Sequence, residues 1–121
     1  MRIGVTISRD WDDFEAIVDA LMEVTPGVSH HKVTLVHGAS QMDFAVAGIA
    51  FMLGMQLEAH PADWGKYRGT TGNPAGMIRN QEMVRSGADV WLAFIKDGSR
   101  GASHCAAEAE RAGIPVRRYT A

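Results

Sequence analysis

The sequence predicts an α/β fold: a Rossmann-like three-layer sandwich with a mostly parallel five-stranded sheet, order 3-2-1-4-5, and helices on both faces. Short runs rich in Val, Ile and Leu alternate with longer segments of helical periodicity, which is typical of a parallel sheet with right-handed crossovers. The run Asp89 to Ile95 (DVWLAFI) is nearly continuously apolar, as expected for a central parallel strand. The length of 121 residues suits one domain, residues 1–121.

The first segment of the chain predicts a strand and a helix. Arg2 to Ile7 is rich in Ile and Val and suits a buried strand. Asp10 is a suitable N-cap, acidic residues follow it, and apolar residues then recur at helical spacing. We therefore expect a helix from Trp11 to Glu23, which Pro26-Gly27 ends.

The second segment predicts another strand, a buried helix and a third strand. Val33 to His37 (VTLVH) is β-branched, and Ser40 caps the helix Gln41 to Leu53. Because this helix is apolar almost all round, we expect it to be buried against the sheet. Gln56 to His60 (QLEAH) follows as a strand, closed by Pro61.

The last part of the chain contains a long loop before the remaining elements. Residues Ala62 to Ala75 are irregular and rich in glycine, and we expect either a lid over a binding site or a plain surface excursion. A helix runs from Gly76 to Ser86-Gly87, and another from Ala102 to Ala112. Ile114 to Arg117 is the final strand, and the proline near its start is typical of a sheet edge.

Composition narrows the classes of function. The net charge of −2 argues against a general nucleic-acid binder, since backbone affinity requires an excess of Lys and Arg. A single cysteine, Cys105, forms no internal disulfide, and the N-terminus lacks a signal peptide, so we expect a cytoplasmic protein. The longest apolar run, Phe44 to Met55, is too short for a membrane span and is broken by glycines.

One loop predicts an anion site. Gly98-Ser99-Arg100-Gly101 lies between the strongest strand and a helix, where unpaired backbone N–H groups, the helix dipole and an arginine meet. In a parallel sheet, the loops at the carboxyl ends of the strands share one edge, where ligands bind. Ser8-Arg9-Asp10 and His37-Gly38-Ala39-Ser40 are expected at that same edge. The alternative is an ordinary strand-to-helix turn with a solvated arginine.

Five blocks of residues carry a family resemblance. They are Ser8-Arg9-Asp10-Trp11, Val36-His37-Gly38-Ala39 with Asp43, His60 to Trp64, Ala75 to Met83, and Gly98-Ser99-Arg100-Gly101. The chain resembles the small YspA-type, cpYpsA-related members of the SLOG superfamily (DUF2493), which occur in bacteria and commonly in their phages. The resemblance covers nearly the whole chain and implies a Rossmann-like domain that binds a nucleotide derivative.

Two departures from the family pattern bear on chemistry. Ile7 stands where the family usually has Gly before its Ser-Arg pair, and this reduces the backbone freedom of the first loop. More distant relatives, the LOG-type phosphoribohydrolases, carry a catalytic Glu in a Gly-Gly-x-Gly-Thr-x-x-Glu pattern. Counting from Gly101, Cys105 stands at that position. We therefore expect a ligand binder more than a hydrolase.

The expected ligand is a nucleotide or a nucleotide-derived molecule such as ADP-ribose, NAD or a signalling nucleotide. No cofactor is certain from the sequence. Trp64 and Tyr67 are candidates for stacking on a base. Apolar helix faces on so small a domain predict a homodimer. The residues expected to bind the ligand lie in the carboxyl-edge loops or in helix turns next to them: Ser8, Arg9, His37, Gly38, Asp43, Arg79, Asn80, Gly98, Ser99, Arg100 and Gly101.

The alternative is a nucleotide-processing hydrolase in which Glu82 or Asp43 acts as acid or base. Each carboxylate also has an ordinary explanation, because Glu82 suits an early helix position and Asp43 suits a cap. The spacing of the histidines relative to Cys105 is not typical of metal ligands, and we predict no metal site. Cys105 itself is expected to be a small buried residue.

Overall fold

The computed structural model describes all 121 residues and contains one five-stranded sheet. The strands lie in the order β3-β2-β1-β4-β5, and every neighbouring pair is parallel, which confirms the predicted fold class and strand order. The strands are β1 (Arg2–Ile7), β2 (Thr34–His37), β3 (Gln56–Ala59), β4 (Val90–Ile95) and β5 (Val116–Thr120).

Four α-helices cover the sheet: α1 (Phe14–Glu23), α2 (Gln41–Met52), α3 (Ala75–Arg85) and α4 (Arg100–Arg111). Buried residues of α1 and α2 belong to one core cluster, and buried residues of α3 and α4 belong to two others on the opposite face. The protein is therefore a three-layer sandwich. A 3₁₀ helix, His30–Lys32, precedes β2.

A tryptophan occupies the centre of the second face. Trp91 of β4 is fully buried beside Val36 and Cys105. Gly4 is its neighbour on β1, and a Cβ atom there would overlap the Trp91 indole ring. Glycine in the middle of a central strand is thus explained by the width of the indole, since cores pack without spare volume.

The first helix begins later than predicted. It starts at Phe14 instead of Trp11, and Asp13 caps it in place of Asp10. The cause is the burial of Trp11, whose ring packs edge-to-face on Phe94 at 5.4 Å and whose Nε1 donates to the Asp13 carbonyl oxygen at 2.8 Å. This contact with β4 holds residue 11 outside the helix.

The end of the chain also differs from the prediction. The last helix begins at Arg100, two residues before the expected Ala102, so Arg100 and Gly101 form its first turn. The last strand is Val116–Thr120 instead of Ile114 to Arg117, because its register with β4 extends to Thr120 opposite Ile95. Its position at the sheet edge is confirmed. The other helix and strand ends lie within one residue of the predicted positions.

Helix α2 packs against the sheet, as predicted, but its apolar outer side is exposed. Val46 and Ala47 face the core, but Phe44, Phe51 and Met52 are 58%, 70% and 87% exposed. The helix covers β2 and β3 at the edge of the sheet, where nothing packs against its outer side. An apolar stretch on an edge helix therefore remains on the surface.

Candidate functional site

Most of the predicted ligand-binding residues form two groups at the carboxyl edge of the sheet, and Ser8 and Arg9 lie in the loop after β1. The first, which we call the Arg79 cluster, comprises His37, Gly38, Asp43, Arg79 and Asn80. The second, which we call the α4 turn, comprises Gly98, Ser99, Arg100 and Gly101. In the first group, Arg79 donates hydrogen bonds to Gly38 and Asn80, whereas His37 and Asp43 bond Ala39 and Ser40, outside the group. No side-chain hydrogen bond involves a member of the second group.

Arg79 is the centre of the first group. Its Nη1 donates to the carbonyl oxygen of Gly38, at the end of β2, and lies 3.5 Å from that of His60, just after β3. Its Nε donates to Asn80 Oδ1 at 3.0 Å. All three acceptors are neutral, and Arg79 forms no salt bridge, so the guanidinium is held in place without a bonded carboxylate.

Gly38 allows the guanidinium to approach the backbone. A Cβ atom on Gly38 would lie 2.6 Å from Arg79 Nη1 and 3.0 Å from Asp43 Oδ2. These two atoms therefore face the same small space from α3 and α2. The residue is buried, and only glycine leaves room there for both side chains.

Asp43 is engaged by its own helix. Its Oδ2 accepts from the Ser40 N–H at 3.1 Å and from Ser40 Oγ at 2.7 Å, and the Ser40 hydroxyl in turn accepts from the Asp43 N–H. This is a capping box, which confirms Ser40 as the cap of α2. Oδ1 accepts no hydrogen bond from the protein.

His37 is buried at the end of β2. Its Nδ1 accepts from the Ala39 N–H at 3.1 Å, and its ring meets Phe44 edge-on at 5.7 Å. Burial lowers the pKa of His37; His60 adds to this effect and Asp43 opposes it. The accepting Nδ1 places the ring proton on Nε2, which has no protein partner and is thus a free donor.

Asn80 connects the Arg79 cluster to the neighbouring helix. It is 7% exposed, accepts from Arg79 through Oδ1, and its Nδ2 lies 3.3 Å from His104 Nδ1 on α4. His104 Nε2 lies 3.5 Å from Glu108. The amide therefore holds α3 against α4 and fixes the direction of the guanidinium.

The α4 turn is open. Asp97 and Gly98 both have a positive φ, 52° and 63°, and reverse the chain after β4. Ser99 stands at the N-cap position but forms no side-chain cap hydrogen bond, and Arg100 is exposed. The first N–H groups of α4 are therefore free of a side-chain cap, in contrast to those of α2.

The loop after β1, which contains Ser8 and Arg9, is bonded to the end of β4. Ser8 is 1% exposed, its N–H donates to the Phe94 carbonyl oxygen, and its Oγ accepts from the Lys96 N–H at 2.8 Å. These bonds join the ends of β1 and β4, and Lys96 Nζ lies 3.4 Å from Asp12. The Ser8 hydroxyl is therefore buried and bonded within the protein, whereas the Arg9 side chain is exposed and unpaired.

A cleft of about 190 Å³ lies between the long loop and α3. Arg79 and Glu82 line it from the helix, and Tyr67 and Lys66 line it from the loop. Trp64 is 55% exposed and rests near Gly76 at the start of α3, outside the lining. Of the predicted site residues, the structure thus brings Arg79, Glu82 and Tyr67 together in one cavity.

Cys105 is fully buried, as predicted, and burial raises the pKa of its thiol to about 12, although a hydrogen bond with Thr6 opposes this effect. A thiol in this state is neither a base nor a nucleophile at neutral pH. No three His, Cys, Asp or Glu side chains come together as a metal site.

Three residues near the site were not predicted as part of it. His60 and His104 were not among the predicted ligand-binding residues, although the His60 carbonyl lies near Arg79 and the His104 ring contacts Asn80. Lys96, which directly follows β4, was not among them either, and its N–H donates to Ser8 Oγ. The spacing of Arg100 and His104, four residues apart on one helix, is the signal that could have placed His104 beside the site.

The all-parallel sheet, its strand order and the loops at its carboxyl edge define a Rossmann-like α/β protein. None of its helices is long and apolar enough to cross a membrane. The chain is 39% identical over 122 residues to the Gene 61 protein of Mycobacterium phage D29, across 95% of this chain and 93% of the phage protein. The chain belongs to the same family as this phage protein. No family model and no solved structure matches it.

Proposed function

We propose that this protein binds a nucleotide or a nucleotide-derived small molecule at the carboxyl edge of its sheet. The observation that carries the proposal is the state of Arg79, a positive charge held by three neutral acceptors beside an open cleft. A guanidinium has five N–H donors, and those on Nη2 have no protein partner. They match the two oxygens of a phosphate group.

The α4 turn supports a second anionic contact. Its free N–H groups and the positive end of the α4 dipole favour negative charge, and Arg100 adds a mobile cation. A ligand with more than one phosphate, such as ADP-ribose, NAD or a signalling nucleotide, suits two anion contacts on one sheet edge. The resemblance to YspA-type SLOG proteins favours the same class of ligand.

The long loop is proposed as a lid. Residues 62–75 lie over the cleft, and Tyr67 offers an aromatic face with Lys66 5.5 Å from the ring centre. A base stacked on Tyr67 would extend from a phosphate held by Arg79. In this proposal the protein acts as a sensor or a sequestering protein in the cytoplasm of a bacterium, including one infected by a phage.

Isothermal titration with ADP-ribose, NAD, cyclic nucleotides and linear nucleotides tests this function. We expect saturable binding of at least one compound, weakened by about tenfold or more in Arg79→Gln, because a charge-assisted bidentate contact is lost. Arg85→Gln is the matched control, since Arg85 is an exposed arginine of the same helix outside the cleft. Absence of binding across the whole panel would overturn the proposal.

A nucleotide hydrolase is the second candidate, favoured by one observation. Glu82 lines the same cleft as Arg79, so a carboxylate lies beside the proposed phosphate site. Asp43 is less suited, because Oδ2 is used by Ser40. Chromatography after incubation with the bound nucleotide distinguishes the two functions. Turnover that persists when both Glu82 and Asp43 are replaced would eliminate the hydrolase mechanism.

A further inference from the structure

The two edges of the sheet differ in how they are protected. At the β5 edge, Arg117 and Arg118 are exposed and pair with Glu23 and Glu110, and Pro115 precedes the strand. Charged side chains and proline are the usual means by which an edge strand avoids pairing with another chain. The β5 edge is therefore blocked.

The β3 edge carries fewer of these features, with one charged side chain in the strand and Pro61 two residues beyond its end. The strand Gln56–Ala59 contains no proline and no basic residue. The N–H groups of Gln56 and His60 donate to β2, so the alternate residues Leu57 and Ala59 direct their N–H and C=O groups away from the sheet. The only charged side chain, Glu58, is held by Arg2 and His60. The edge is open and presents no free charge.

The helix beside this edge exposes apolar side chains on the same side. Met42, Ile49 and Leu53 pack against the core on one flank of α2, whereas Phe44 and Phe51 project from the opposite flank, with Met52 next to them. Gly48 lies between the two phenylalanines and has no neighbouring atom where a Cβ would stand, so a second helix can approach closely.

Leu57 joins the helix surface to the strand edge. It pairs with Leu35, which belongs to the core beneath α1 and α2, so both lie on the face of the sheet that α2 covers. Leu57 is nevertheless 42% exposed. Leu57 and the exposed apolar residues of α2 thus lie on the same face of the sheet, next to the open strand. We call this surface, formed by Phe44, Gly48, Phe51, Met52 and the β3 strand, the β3–α2 edge.

We infer that the β3–α2 edge binds a second copy of this chain. Two β3 strands related by a two-fold axis pair in antiparallel fashion, which produces a ten-stranded sheet with α2 packed against α2. Such an interface is self-complementary, since each copy supplies the same open strand and the same apolar flank. Because neither copy presents a free charge there, no like-charge repulsion opposes the association of two copies.

The exposed area is sufficient for such a dimer. At about 200 Å² for a fully exposed large side chain, the exposed fractions of Phe44, Phe51 and Met52 amount to about 430 Å² per protomer. Leu57 raises this to about 500 Å², so two copies bury about 1,000 Å², the lower limit of a specific interface. A dimer with a dissociation constant in the micromolar range is expected.

Sedimentation velocity of the full chain over low to high micromolar concentration tests this inference. We expect a monomer–dimer equilibrium whose dissociation constant rises by about tenfold or more in Met52→Glu, because a charge is placed in the apolar contact. Met77→Glu is the matched control, since Met77 is 53% exposed on α3, across the sheet. A wild-type protein that stays monomeric over this whole concentration range would overturn the inference, even if another molecule binds this surface.

A second variant isolates the strand pairing. Ala59→Pro removes an outward N–H without breaking a bond to β2, so the monomer should keep its fold while the dimer is lost. In the wild type, amide exchange at Leu57 and Ala59 should slow as concentration rises. Exchange independent of concentration, or a dimer unaffected by Met52→Glu, would exclude this surface as the interface.

Discussion

The Arg79 cluster and the α4 turn contain similar residues, but the first is held by internal hydrogen bonds and the second is exposed and uncapped. Each combines an arginine, glycine and the N-terminal turn of a helix at the carboxyl edge of one sheet. In the Arg79 cluster the guanidinium is fixed by backbone and amide oxygens, and the α2 terminus is closed by a capping box. In the α4 turn the arginine is exposed and the helix terminus has no side-chain cap.

The difference concerns preorganisation. A fixed guanidinium has already lost its rotamer freedom on folding, whereas Arg100 would lose up to about 2 kcal/mol of side-chain entropy on binding an anion. The Arg79 cluster therefore suits the contact that sets affinity and orientation. The α4 turn suits an adaptable contact that contributes mainly long-range attraction, and three predictions test this distinction.

The largest effect is expected when one methyl group is added at Gly38, and the same change at Gly101 provides the comparison. In Gly38→Ala the new Cβ meets Arg79 Nη1 and Cζ at 2.6 and 2.8 Å, so the guanidinium must leave its position. We expect ligand affinity to fall by about tenfold or more, as for loss of a charge-assisted contact. The unfolding free energy should fall by only about 1 kcal/mol, since a flexible side-chain end can shift.

Gly101→Ala is the matched substitution in the α4 turn. A Cβ there meets no atom, and alanine favours the helix by up to about 1 kcal/mol in an exposed turn. Thermal unfolding and titration of both variants give the comparison. If Gly101→Ala weakens binding as much as Gly38→Ala, the ligand depends equally on both regions and the distinction is wrong.

Much of the fold was predictable from local patterns. Alternation of strand and helix segments predicted the parallel sheet with helices on both faces, and Ser40 with Asp43 predicted the capping box. The start of α1 was not predictable in this way, because Trp11 is withdrawn from the helix by Phe94, a residue of a distant strand. Capping rules consider only neighbours along the chain and cannot detect such a contact.

The sequence placed candidate residues at the carboxyl edge of the sheet but could not predict the contacts among them. Gly38 and Arg79 were both expected to contact a ligand, yet they bond one another across 41 residues of the chain. Likewise Ser8 was expected to meet a ligand, and its hydroxyl oxygen accepts from Lys96. Composition identifies groups able to bind an anion, whereas only the packing of strand ends decides which of them bind one another.

A cap placed on the open helix should produce a smaller effect. Ser99→Asp puts a carboxylate at the N-cap of α4, where it can accept the free N–H groups and complement the dipole. We expect the unfolding free energy to rise by about 0.5–1 kcal/mol, with affinity for an anionic nucleotide reduced several-fold by competition. Ser40→Asp, at an already capped terminus, should give no such gain in stability. Unchanged affinity in Ser99→Asp would show that the ligand does not contact the α4 turn.

The smallest effect is expected in the pH dependence of stability, and it belongs to the Arg79 cluster. Burial lowers the pKa of folded His37 below its ordinary value of 6.5, so the unfolded chain takes up this proton first. The free energy of unfolding should therefore decrease as pH falls below 6.5 toward the folded pKa, and this contribution is fully present above that window. His37→Asn keeps an acceptor for the Ala39 N–H but does not titrate, so denaturant unfolding at several pH values should show a shallower decrease. Identical pH profiles for the two proteins would mean that the His37 proton is bound equally in both states and that burial does not disfavour the charged ring.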